Sequence, residues 1–158
     1  MAIDLSTAGI KLYYAVEATA GTRPTALVDY TQIQGLKEIP EMNPSPESLE
    51  TTTLDATEYK TYINGLKDLG GALGFTFNLT QAFVTAWEAL ITAHLAGMAL
   101  NPDKETWFAI RVPGITKDLF FKGIPAELGM PGVAVNAVLE HTAYITATGE
   151  ISWETALS

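Results

Sequence analysis

Ala72-Leu73-Gly74-Phe75-Thr76-Phe77-Asn78-Leu79-Thr80 is the stretch that decides the fold. Leu73, Phe75, Phe77 and Leu79 fall on one side of an extended chain, and Gly74, Thr76 and Asn78 on the other. That period of two marks a strand with one buried face. The period then changes. Phe83, Trp87, Leu90, Ile91 and His94 recur at spacings of three and four, which predicts a helix, with Asn78 or Thr80 as its N-cap and Gly97 as its C-cap.

Working outward, Ile10, Leu12, Tyr14 and Val16 alternate with Lys11, Tyr13, Ala15 and Glu17 and predict a strand from about Ile10 to Glu17 with one buried face. Past the Asn101-Pro102-Asp103 turn, Trp107 to Val112 and Asp118 to Ile124 read as a hairpin around Pro113-Gly114. From Val133 the odd positions stay largely apolar as far as Ala147, which predicts one long final strand ending at Thr148-Gly149-Glu150. Pro40, Pro44 and Pro46 make residues 38–47 extended but irregular. Thr51, Thr52 and Thr53 favour a strand from Glu47 to Leu54. Asp55 to Gly70 has neither period and reads as a long loop. Tyr59, Tyr62, Ile63 and Leu66 make it too apolar for a linker, so it should order against something. The result is mainly β: an antiparallel sandwich or barrel of six to seven strands with one packed helix and a long loop.

The 158 residues fit a single domain, and 47% apolar with 17% charged residues excludes a disordered chain. Nine Lys and Arg against 18 Asp and Glu leave a net charge of −9, which repels nucleic acid phosphates. Seven acids lie between Glu38 and Asp68 against Lys60 and Lys67. The absence of Cys removes disulfides, thiolate chemistry and Cys-based metal sites. His94 and His141 lack ligand spacing and read as satisfied, partly buried side chains. Gly70-Gly71-Ala72-Leu73-Gly74 precedes a strand and lacks the Lys of a phosphate loop, and there is no Gly-x-Ser-x-Gly elbow. The pairs Glu47 with Glu50 and Asp55 with Glu58 could flank a substrate, but 18 acids make such pairs inevitable and solvated faces explain them better. The expectation is no enzyme, no cofactor and no metal. The N-terminus reads as lacking a secretion signal, which gives a cytoplasmic expectation, and no segment is long and apolar enough to span a bilayer.

Several segments together resemble the tail tube (major tail) proteins of long-tailed bacteriophages. They are Gly9-Ile10-Lys11-Leu12-Tyr13-Tyr14, Leu49-Glu50-Thr51-Thr52-Thr53-Leu54-Asp55, Glu58 to Asp68, Gly70-Gly71-Ala72-Leu73, the Phe75 to Thr80 strand leading to a helix, and Thr146-Ala147-Thr148-Gly149-Glu150-Ile151. The resemblance covers most of the chain and rests on order and spacing. It implies a virion protein, assembled in the bacterial cytoplasm, whose hexameric rings stack into the tube through which genomic DNA is ejected without specific binding. Implied partners are further copies of the chain, a tape measure protein, and tail terminator and tip proteins. Residues 1–9 and 150–158 would be arms, and residues 55–70 an inter-ring loop acting through Glu58, Tyr59, Lys60, Tyr62 and Ile63. Glu50 and Thr52 lie opposite core-facing Leu49, and Thr76 and Asn78 hold the matching outward phase, so these four become the candidates for the lumen. The inner tube of a contractile tail or a secretion-like system is the near alternative. A small-molecule-binding β-barrel is a more distant one and needs an open apolar interior.

Overall fold

The computed structural model describes residues 8–158, so the expected arm at residues 1–9 lies almost wholly outside the described residues. Residue contacts divide the chain into two compact units, one running up to Pro40 and resuming at Ala72, the other Glu41–Gly71.

The larger unit holds β1 (Lys11–Val16), a 3-10 turn (Leu27–Asp29), β2 (Thr31–Ile33), β3 (Leu36–Glu38) and β6 (Ala72–Asn78). After these come the helix α1 (Gln81–Met98), β7 (Thr106–Arg111), β8 (Lys117–Pro125), β9 (Glu140–Ala147) and β10 (Ser152–Thr155). The smaller unit holds β4 (Ser45–Glu50) and β5 (Tyr62–Asp68), paired only with each other. In the larger unit the strand order is β2-β1-β7-β8-β9-β6-β3, with β10 also on β8, every pair antiparallel. This is the expected mainly β architecture, a nearly closed, barrel-like sheet with one helix.

Leu73, Phe75 and Phe77 are buried and their neighbours Gly74, Thr76 and Asn78 half-buried, as the alternation requires. Phe77 stacks on Phe83 of α1 at 4.5 Å between centroids, and Phe75 stacks on Phe121 at 6.4 Å, which in turn stacks on Phe108 at 5.3 Å. A continuous aromatic core therefore links the strand to its helix and to the β7–β8 hairpin. Each ring contributes on the order of 2 kcal/mol or more through burial.

Thr80 is the N-cap, its Oγ1 accepting from the Phe83 N–H at 3.2 Å. Gly97 is not the C-cap: it lies inside α1, which ends at Ala99. A Cβ on Gly97 would stand 2.7 Å from the Lys104 carbonyl oxygen and 3.0 Å from Val16, so the glycine is there for close backbone approach.

Four other expectations change. β1 buries both faces, because Tyr13 and Ala15 pack into a second core with Tyr30, Ala109, Phe120 and Leu157. The strand expected at Glu47–Leu54 runs Ser45–Glu50 and takes in Pro46, while Tyr62–Asp68, read as part of a long loop, is its partner strand. The long final strand exists only as Glu140–Ala147, and residues 133–139 belong to no strand.

Residues 150–158, expected as an arm, instead carry β10 and end in a clasp on their own chain. Asp118, 1% exposed, accepts from Arg111 Nε at 3.2 Å, Arg111 Nη2 at 3.0 Å and the Leu157 N–H at 2.9 Å, and Arg111 Nη2 also donates to the Leu157 carbonyl at 2.6 Å.

A second buried carboxylate fixes the other end of β1. Glu17, 3% exposed, accepts from the backbone N–H groups of Gly21 (3.1 Å) and Glu105 (3.0 Å) and from Trp107 Nε1 (3.0 Å). Desolvation pushes this carboxyl up, but the three donors and the charge of Lys122 outweigh it and hold it below the usual glutamate range. Folding therefore favours the ionised form. Its stabilisation is complete above the unfolded-state pKa of about 4.3 and is lost as pH falls through the lower folded-state value. Denaturant titrations from about pH 6 to 3 should show the wild type losing stability more steeply than Glu17→Gln; parallel curves would mean that another group carries the acid sensitivity.

Candidate assembly interface

The β4–β5 hairpin is a ribbon without a core. Ser45 pairs with Asp68, Leu49 with Ile63 and Glu50 with Tyr62, and the register shifts between Pro46 and Ser48, where Glu47 faces both Gly65 and Leu66. Only glycine fits the shift comfortably, since a Cβ on Gly65 would meet Glu47 Cβ at 3.2 Å and its carbonyl oxygen at 3.3 Å. At the far end the Thr51 N–H donates to the Thr61 carbonyl (2.8 Å), and Thr52 Oγ1 accepts from the Thr61 N–H (2.8 Å). These bonds close a tip of residues 52–60.

Leu49, Leu54, Tyr59, Tyr62, Ile63 and Leu66 are all exposed on this ribbon, Leu66 at 88% and Leu54 fully. An isolated two-stranded hairpin is marginal in water, and a contiguous apolar surface of this kind marks a contact site. A second such surface is the connection from β8 to β9. Its ends are pinned by the Ala126 N–H to the Tyr144 carbonyl (2.9 Å) and the Leu79 N–H to the Leu139 carbonyl (2.9 Å). Between them Met130, Val133, Val135, Val138 and Leu139 are exposed. Sequence reasoning missed this surface, because alternating valines look the same whether a strand is buried or waiting for a partner.

The residues singled out in the sequence separate into two groups. Glu50, Thr52, Glu58, Tyr59, Lys60, Tyr62 and Ile63 belong to the hairpin unit, where all but Thr52 are exposed. Thr76 and Asn78 lie in the larger sheet, on the face opposite Phe75 and Phe77. Because β4 pairs with β5 and not with β6, Glu50 and Thr52 share no sheet with Thr76 and Asn78.

The Thr76 face is polar. Thr76 and Thr142 hydroxyls lie 3.4 Å apart, Asn78 stands opposite Glu140, Glu140 pairs with Lys37, and the Tyr144 ring covers Gly74. The pairs Glu47 with Glu50 and Asp55 with Glu58 are exposed on the hairpin. His94 is satisfied, its Nδ1 2.9 Å from Thr106 Oγ1, and burial lowers its pKa. His141 departs from expectation, since its Nδ1 is enclosed without a hydrogen-bond partner. The interior that a small-molecule reading needs open is filled by Phe75, Phe77 and Trp87.

No protein-family model and no curated protein matches the chain. Solved structures do. A chain in the six-fold symmetrised cryo-EM structure of the anti-feeding prophage baseplate superposes with a TM-score of 0.68 at 10% identity, over 98% of each chain. A chain in the tail of an empty GTA particle, with C6 symmetry, gives 0.56 at 11% identity over 91% of this chain and 96% of that one. What the chain shares with both is its fold. The likeness runs over nearly the whole length, so the hairpin and the barrel-like sheet are matched together and not one of them alone.

Proposed function

We propose that the protein is a structural subunit of a phage tail, one that forms hexameric rings stacked into a tail tube for DNA ejection. The observation that carries this reading is the hairpin, whose six large apolar side chains have no core of their own. The fold shared with chains of two six-fold tail and baseplate assemblies supports it. Function on this reading lies in surfaces: residues 52–60 reach the next ring, where Glu58, Tyr59 and Lys60 make contact beside Tyr62 and Ile63. The tape measure, terminator and tip proteins bind the inside and the ends of the tube. Electron microscopy of the purified protein across a concentration series tests the proposal. Six-fold rings or tubes are expected, and a monomer at every concentration would sink it.

The lumen on this reading is acidic and polar, lined by Glu50 and Thr52 from the hairpin and by Thr76 and Asn78 from the sheet. Like charge keeps DNA from adhering, and salt screens the effect within a Debye length of about 10 Å at 0.1 M. Glu50 is exposed, so Glu50→Lys should leave the melting temperature and assembly unchanged while slowing DNA release from particles, most at low salt. Unchanged release across a salt series would remove Glu50 from the lumen.

A further inference from the structure

Two features of the chain are each half of a β-ladder. The first is residues 133–139, Val-Ala-Val-Asn-Ala-Val-Leu, which are uncharged and rich in the residue type that most favours strands. They nonetheless pair with nothing as a strand, and Val135 is 90% exposed. The second is the outer edge of β5. Among the described strands, β2, β3, β4, β5 and β10 pair on one side only. β2 and β3 have three residues and β10 four, while β4 contains Pro46, which has no N–H to donate. β5 is the longest free edge, seven residues from Tyr62 to Asp68, and it presents Tyr62, Ile63 and Leu66 to solvent. Natural proteins blunt or cover an edge of that length and apolarity, since it is a template for another strand.

We infer that residues 133–139 of one subunit add as a strand to the β5 edge of a second copy of this chain. The inference rests on the proposed assembly and specifies one of its contacts. Both halves are seven residues long and apolar, and each copy carries both without using either as a ladder in itself. The contact is therefore heterologous: one copy gives the strand and the next gives the edge, so it repeats from subunit to subunit and closes only under a rotation such as a six-fold axis. Main-chain hydrogen bonds supply the affinity, and the alternating valines choose the register.

The chain has no cysteine, which makes cross-linking unambiguous. Two variants, Leu66→Cys and Val135→Cys, are mixed and allowed to assemble, so that a 66–135 disulfide can form only between copies. The expected result is that covalent dimer between unlike variants, together with slowed amide exchange at residues 133–139 on assembly. In a separate variant, Val135→Asp should raise the concentration needed for assembly by at least about tenfold while leaving the monomer's melting curve unchanged, since the site is exposed. Rings or tubes that form without the 66–135 disulfide and without added protection at 133–139 would overturn this contact and leave the proposed function standing. Failure of the unmodified chain to assemble would overturn both.

Discussion

Asp118→Ala is expected to cost about 3 kcal/mol of folding stability, which for a chain of this size lowers the melting temperature by about 6–12 °C. The carboxylate is enclosed, and its three donors come from two parts of the chain that meet nowhere else along the sequence: Arg111 on β7 and the amide of Leu157 after β10. Removing it strands the Leu157 N–H in a buried position and leaves the Arg111 guanidinium, about a quarter exposed, without its carboxylate. Partial access of Arg111 to water holds the cost to the lower end of what breaking a buried pair brings. The loss should be local before it is global. Leu157 is 5% exposed and fills the second core beside Tyr30 and Phe120, so a loosened clasp opens that core and frees the outer side of β8 where β10 pairs.

Thermal melts measure the first effect and amide exchange at residues 152–157 the second. Asp118→Asn is the companion variant. It keeps an acceptor for the Leu157 N–H and loses the charge, so it should recover part of the loss. Equal melting of wild type and Asp118→Ala, within about 1 °C, would mean the clasp contributes nothing beyond packing.

What the sequence displays depends on whether a residue's partner is close in the chain or of a kind that its own pattern announces. Phe75, Phe77, Phe83 and Trp87 announce themselves, because a strand and the helix that follows it bury faces with their own periods, and those faces meet. The second burial face of β1 is silent in this sense. Tyr13 reads as outward until Leu157, more than a hundred residues later, covers it. The Asp118 clasp is hidden for the same reason, and so is the Glu17 site, where Trp107 and Glu105 arrive from across the sheet. At the assembly surfaces the error runs the other way. Val133 to Leu139 carries a strand pattern with no partner inside the chain, whereas Tyr62 to Asp68 forms a strand with no clean pattern, because both its faces are exposed and neither is selected for burial within one copy. Period-two alternation reports one-sided burial, and a ribbon exposed on both sides gives no such signal.

The largest effect on assembly is expected from removing the hairpin tip. Replacing residues 52–60 with Asn-Gly keeps Thr51 and Thr61, which already bond to each other across the ribbon, and supplies a two-residue turn of the type that joins antiparallel strands. The variant should fold as the wild type does: the core lies in the larger unit, and the replaced segment is exposed apart from half-buried Thr52, so the melting temperature should move by no more than about 2 °C. Assembly should behave differently. Leu54 and Tyr59 leave with the tip, and burying two such side chains against a neighbour is worth about 3 kcal/mol in total, or at least a hundredfold in the concentration required. Electron microscopy separates the possible roles. Rings that form normally but do not stack would place residues 52–60 between rings, as proposed; loss of rings altogether would place them between subunits of one ring; and tubes of normal length at the wild-type concentration would leave the tip with no part in assembly. Because the β5 edge and residues 133–139 are both intact in this variant, the 66–135 cross-link should survive wherever rings survive, so the tip and the edge can be tested as separate contacts.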